Sequence, residues 1–448
     1  MSETPTRRLA TLIADARPDE TAREKARAGV LDYLAVTLPV LLGRVADSGL
    51  ACLRRVYDGQ DARTRALLLG YAGHALDYDD FHPDFRGHPS TVILPALFAL
   101  AADHPTVSAE GFLDAYAVGV EAAGRLGLAA GRRHYALGFH STGTLGTLAA
   151  TAGAARLVKA DAGATAVMLG IAATQASGLR AQAGSAAKPL HAGLAAQAAV
   201  AACQLALAGF SGQPDGIIED FLAASCGGQQ DPGLLTDRWG EPWRIVAPGL
   251  EFKPYAACSG THSAADAARR LRRQWLDSGH TLDALLDGLD HIEVAFPPGG
   301  DLAPSVRRPR NGMEARFSLE YVIAAGLLRD DLTLAEFAEG PVNAAISALA
   351  QRVSRCPDPL APPDELDPSA RFHQVTLFFH HDAPLRCKVT RRESLSHPVD
   401  LSHKLRRCLA GETDAMIDAI ESLSRLDSPS SLSRLGGILL SALHQPRR

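Results

Sequence analysis

The sequence predicts a mainly α protein with a large helical domain and a smaller α+β unit, and three observations carry that expectation. At 448 residues the chain exceeds the roughly 250–300 that one hydrophobic core organises, so two domains are expected. From about residue 20 to 230 the apolar residues recur at helical spacing in segments rich in Ala, Leu and Gly. After the Pro-, Gly- and Trp-containing stretch 231–249 the pattern changes, and runs of alternating apolar and polar residues read as strands.

In the first part, residues 143–159, 162–180 and 192–209 are helical segments with small faces. Small side chains let backbones approach closely, which favours a compact multi-helix bundle. Asp161 stands where an N-cap belongs, just ahead of the second segment. In the second part, 291–296 and 371–379 alternate as strands, and 380–384 turns the latter back into 385–391. Residues 263–278 and 334–353 read as helices, and the Pro- and Asp-rich 357–369 as a surface loop. Helical periodicity returns over 401–445. The expected division is 1–252, 253–394 and 395–448, and the chain holds no internal repeat or low-complexity tract.

Hydrophobic residues at 46% and charged residues at 21% are ordinary for a globular protein. A net charge of −5, with Lys and Arg scattered, argues against nucleic acid or an anionic membrane as a partner. The N-terminal residues contain no run apolar enough for a signal peptide, and the most apolar internal stretch is interrupted by Gln197 and Gln204, so a cytoplasmic location is expected. Seven widely spaced cysteines without a CxxC pair point to reduced thiols, and give no ligand set for a zinc ribbon or an iron–sulfur cluster.

The densest chemistry lies at residues 73–95, GHALDYDDFHPDFRGHPSTVILP, where four carboxylates and three histidines share 23 residues. Such groups are costly to bury unless paired, so their interleaving with Ala75, Leu76, Tyr78 and Phe81 suggests a partly buried polar pocket suited to proton transfer. A solvated loop with a salt-bridge network is the plain alternative. Four further segments favour the pocket: GFHSTGT at 138–144, KPLHAG at 188–193, FKPYAACSGTH at 252–262 and ARFSLEY at 315–321.

Together with HALDYDD and GHPS, these segments in this order resemble the MmgE/PrpD family over residues 24 to 409. That family includes 2-methylcitrate dehydratase, cis-aconitate decarboxylase and iminodisuccinate epimerase. The resemblance implies a cofactor-independent enzyme that makes or quenches a carbanion alpha to a carboxylate in a small di- or tricarboxylate. It also implies that the C-terminal helices rejoin the helical domain, so that the α+β unit is an inserted lid, and that the chain forms a homodimer through its helical domain. Dehydration of a 2-methylcitrate-type acid is the first expectation, epimerisation the second and decarboxylation the third. A non-catalytic protein that retains the fold is the alternative of a different class.

His88 and His140 are the expected proton-transfer residues, because imidazole titrates near neutral pH. The resemblance places both at catalytic or substrate-binding positions, and adds Asp77 as a pocket residue that orients or stabilises a histidine. Asp79 and Asp80 either cap the following turn or belong to the pocket, while His74 and His82 are set outside the direct contacts. Lys188 and Lys253 match positions that hold a substrate carboxylate, a role an ammonium fills as a compact point charge. His191, three residues after Lys188, is expected beside it, and Tyr321 matches a pocket tyrosine. Tyr255, Ser259, Thr261 and His262 are weaker candidates. Carboxylate and imidazole ligands around Asp77 suit manganese or zinc in principle, yet the resemblance implies no metal and no cofactor.

The chain departs from the family pattern at two places. Where cis-aconitate decarboxylases read Asp-Phe-Asp-Asp-Thr-Trp, this chain has Asp77-Tyr78-Asp79-Asp80-Phe81-His82, which exchanges a hydroxyl for a phenyl ring. The run Gly184-Ser185-Ala186-Ala187 ahead of Lys188 is unusually small. Both bear on substrate choice.

Overall fold

The computed structural model describes residues 3–364 and 370–444. Its chain divides into one unit of Met1–Gln182, Ala186–Phe252 and Asp400–Arg448, and a second of Ala183–Ser185 and Lys253–Val399. The protein is mainly α, with one four-stranded sheet among the described residues.

The first unit is built on the helix Ala187–Leu207, which packs against Ala62–His74, Thr144–Leu157 and Ser90–Ala101. Glycines set the closest crossing. A Cβ on Gly70 would stand 2.9 Å from both the Ala192 carbonyl oxygen and the Gly193 Cα, and one on Gly193 would collide with the Leu67 carbonyl. Only hydrogen at both positions lets the two backbones touch. The helices run antiparallel there, so the start of one, with Lys188, lies beside the end of the other, with His74. Ala187–Leu207 is long and apolar enough to cross a membrane by length and composition, but its small apolar residues are used in this packing, Ala192, Ala195, Ala196 and Ala199 among them.

Helix boundaries follow local chemistry. Asp161 accepts a hydrogen bond from the Ala164 amide at 2.7 Å and starts Ala162–Ala173. That helix ends at Ala173, well short of residue 180, and the chain then turns through Gly178 at a φ of +145°. The C-terminal region is three helices rather than one, Leu401–Cys408, Asp414–Ser424 and Pro429–Leu443, separated at Gly411, whose φ is +97°, and ahead of Pro429. The last residue of the expected helical stretch, Gln445, lies outside the described residues.

In the second unit the sheet order is β2-β1-β3-β4, with β1 (Leu289–Phe296) parallel to β2 (Val353–Pro357). β3 (Phe372–Phe379) pairs antiparallel with both β1 and β4 (Leu385–Thr390). The helix His262–Asp277 covers β3 and β4 and packs on Leu319–Leu328. Residues 334–353 are not one helix: Gly340, at a φ of +117°, and Pro341 break the segment, leaving a turn at Leu334–Phe337, the short helix Ala344–Ala350 and then β2. The proposed loop 357–369 is described only to residue 364; residues 365–369 lie outside the described part.

Candidate active site

The Ala62–His74 helix ends in a turn whose polar side chains face inward. Asp77 adopts a φ of +49°, which Asp tolerates better than most residues, and its amide bonds the His74 carbonyl at 3.2 Å. From there the chain passes through Tyr78, Asp79 and Asp80 to Phe81, whose amide and carbonyl pair with Glu251 at 2.9 and 2.8 Å. A second loop, 138–144, is pinned by the His140 amide to the Gly178 carbonyl at 3.0 Å and by the Arg180 amide to the Gly138 carbonyl at 2.8 Å. The two loops meet where the His88 amide donates to the Thr142 hydroxyl at 3.1 Å.

At the centre stands His74. Its Nδ1 lies 2.8 Å from Asp79 Oδ2 and its Nε2 2.7 Å from Lys188 Nζ. A carboxylate only accepts and an ammonium only donates, so the two partners fix the neutral imidazole with its proton on Nδ1. Burial first, with the Lys188 charge adding to it and the Asp79 charge opposing it, holds the His74 pKa below its ordinary value. Lys188 donates a second bond to Asp77 Oδ1 at 2.8 Å. The result is a continuous relay, Asp79–His74–Lys188–Asp77, in which the lysine side chain is 12% exposed and the others are buried.

Three more imidazoles surround this relay. The His88 ring centroid is 4.6 Å and that of His140 5.7 Å from His74. His88 Nδ1 lies 2.7 Å from the Asp80 carbonyl oxygen and 3.4 Å from Asp79 Oδ2, which puts its proton on Nδ1 and makes Nε2 the basic nitrogen. His140 and His191 meet through their Nδ1 atoms at 3.0 Å. One must donate and the other accept, so the two rings carry opposite tautomers. Burial pushes His140 well below the ordinary range and His191 down to about 4, with Lys188 and neighbouring imidazoles lowering both further. Gly143 and Gly178 leave room for this contact: a Cβ on either would press to within 3.0 and 3.3 Å of the His191 side chain.

Of the residues expected from the sequence, the structure brings Asp77, His88, His140, Lys188 and His191 into one cluster. Lys253 and Tyr321 belong to the second unit, where both are buried. The Tyr321 hydroxyl is already donated to the Glu336 carbonyl at 3.0 Å, which gives it a packing role there. His74, set aside on sequence grounds, is the hub, and Asp79 is its partner rather than a turn cap. Their signal was present in HALDYDD, but His74 ends a helix, and only the fold shows that its ring turns inward. Asp80 is likewise no cap: fully buried, it accepts from the Ser90 hydroxyl, and burial together with repulsion from Asp32 holds its carboxyl well above the usual range. His82 instead bonds away from this cluster, with its Nε2 at 3.0 Å from the Arg244 carbonyl.

His74, Asp77 and His88 offer ligand atoms within 4.8 Å of one another, a spacing compatible with a divalent cation. The Lys188 ammonium already sits against two of those three residues, and it supplies the positive charge that a metal would bring. The donor set therefore fits an ammonium-centred site better than a metal-centred one.

A cation beside several neutral imidazoles and buried carboxylates can hold an acid group and move protons to or from carbon. Comparison with known proteins agrees with that chemistry. The MmgE/PrpD N-terminal domain matches residues 7–231 and the MmgE/PrpD C-terminal domain residues 255–421. The chain is 29% identical to cis-aconitate decarboxylase of Mus musculus, over 83% of its own length and 77% of the relative's. It is 30% identical to cis-aconitate decarboxylase of Homo sapiens, over 62% of this chain and 58% of that one. To the cis-aconitate decarboxylase-like protein oryM of Aspergillus oryzae it is 29% identical, over 61% and 60% of the two chains. With both domain models matched in order across most of its length, the chain belongs to the MmgE/PrpD family.

Proposed function

We propose that this protein is a cofactor-independent lyase that releases carbon dioxide from a small unsaturated polycarboxylate of the cis-aconitate type. The observation that carries the reading is the Lys188 ammonium held between His74 and Asp77, with the His88 and His140 rings packed around it. In this reading Lys188 anchors a substrate carboxylate. The bond from carbon to a second carboxylate, allylic to the double bond, breaks and carbon dioxide leaves. The electron pair left behind becomes a new double bond, while the electrons of the old one take a proton at the carbon alpha to a remaining carboxylate. His88 and His140 take up a proton from solvent as the anionic substrate binds beside them and pass it to that carbon, and Asp77 offsets the charge of Lys188. The assignment of Lys253 to a further acid group rests on the family pattern.

The likeness to several cis-aconitate decarboxylases supports decarboxylation ahead of the dehydration expected from sequence. Phe81, which stands where those decarboxylases carry a hydroxyl, lies with its ring edge-on to His88 at 5.8 Å and gives that imidazole an apolar neighbour. An apolar neighbour favours a reaction that turns a charged carboxylate into a neutral gas. Proton NMR in heavy water, with cis-aconitate and 2-methylcitrate in parallel, tests the reading. Carbon dioxide and a product deuterated at one carbon are expected from cis-aconitate. Turnover of 2-methylcitrate alone, or exchange without loss of carbon dioxide, would replace it with dehydration or epimerisation.

The homodimer is part of the same proposal and is supported by the family likeness. Light scattering that returns the monomer mass at micromolar concentration would remove it.

A further inference from the structure

Behind the proton-transfer cluster lies a buried ion pair that the proposed chemistry does not use. Lys404, on the helix Leu401–Cys408, donates to Asp32 Oδ1 at 2.6 Å, and the two side chains are each 1% exposed. The same ammonium donates to the Tyr78 carbonyl at 2.8 Å and lies 3.9 Å from the centroid of the Tyr78 ring. The three residues are far apart in sequence, 372 positions between Lys404 and Asp32 and 326 between Lys404 and Tyr78.

Docking the helix Leu401–Cys408 does not rest on this arrangement alone, since Leu405 and Cys408 on it and Leu409 just after it are buried as well. A buried ion pair is seldom better for stability than well-packed apolar residues, because both charges lose their hydration. What the pair achieves here is its third bond. Tyr78 stands between Asp77 and Asp79, and fixing its carbonyl and its ring fixes the short turn from which those carboxylates reach Lys188 and His74. On the other side of the same turn, Asp80 is held by Ser90, which is itself bonded to Tyr116. The acidic turn is thus clamped at Tyr78 from behind and at Asp80 from the side.

We infer that Lys404 is a positioning residue, which holds the Tyr78 backbone so that Asp77 and Asp79 orient the Lys188–His74 pair. It acts through those residues and touches no substrate.

The test uses the full chain with Lys404→Met and, so that no unpaired buried charge is left, the double variant Asp32→Asn/Lys404→Met. Circular dichroism and melting report the fold. Nitrogen-15 NMR of labelled histidine, with the His74 signal identified by its loss in His74→Gln, reports the His74 tautomer directly. The kinetic arm rests on the lyase reading above, whereas the NMR arm stands whatever the substrate proves to be. In a folded variant, His74 is expected to lose its single Nδ1–H tautomer, and kcat to fall about ten- to a hundred-fold with KM within about two-fold, as misplacement by an ångström does. A purely structural role would lower the melting temperature and leave the His74 tautomer alone. A folded variant with the wild-type His74 spectrum overturns the inference, and so does failure of both variants to fold, which would assign Lys404 to global stability.

Discussion

His74 Nε2 and Lys188 Nζ meet at 2.7 Å across 114 residues of sequence. One residue closes a helix and the other opens one, and the glycine crossing of those two helices brings them together. The histidine is thereby held neutral and the ammonium held in place.

Removing that cation isolates its role. Lys188→Ala is expected to raise the apparent KM for the acid substrate, with some loss of kcat, because a carboxylate anchor acts in ground and transition states alike. Steady-state kinetics on a variant shown to be folded by circular dichroism decides this, and an unchanged KM would remove Lys188 as the anchor.

His88→Ala and His140→Ala are expected to lower turnover by about two to four orders of magnitude without unfolding the protein, the usual effect of losing a general acid or base. Asp79→Asn keeps the size of the side chain but removes the charge that sets the His74 tautomer, so a comparable loss is expected there. Wild-type rates in all three folded variants would take the cluster out of the mechanism.

Gly193→Ala places a methyl group against the Leu67 carbonyl. Overpacking of this kind costs about 1–3 kcal/mol, and here it also separates Lys188 from His74. A lower melting temperature together with weaker substrate binding is expected, and a neutral result would show that the crossing can widen freely.

Stability should fall as pH is lowered. Burial pushes His134 and His191 down to about 4 and His373 to about 3. Between the ordinary histidine range near 6.5 and those folded values, the unfolded chain binds protons that the folded chain does not, so acid favours unfolding. For the fully buried His373 and His134 the slope approaches about 1.4 kcal/mol per pH unit each. Urea titrations at pH 7, 6 and 5 check this, and a flat stability over that range would contradict the burial.

Prolonged dialysis against a strong chelator is expected to leave activity unaltered, since Lys188 already bonds two of the three candidate ligands. Loss of activity restored by zinc or manganese would reinstate the metal-centred alternative.

By itself the sequence determined the family and the mainly helical character, because ordered motif blocks and apolar periodicity are written locally along the chain. It also indicated where chemistry is concentrated, since four carboxylates and three histidines within 23 residues are conspicuous in any conformation. It did not reveal β2, whose five residues follow a helical run and become a strand through pairing with β1. Nor did it reveal which carboxylate serves which imidazole. Asp77, Asp79 and Asp80 are near neighbours in sequence, yet they face Lys188, His74 and Ser90 respectively. That division is decided by the left-handed turn at Asp77 and by the helices packed on either side. The pairing of Lys404 with Asp32 belongs wholly to the tertiary structure, because contact between residues hundreds of positions apart depends on how the helices stack, and no local pattern of residues encodes it.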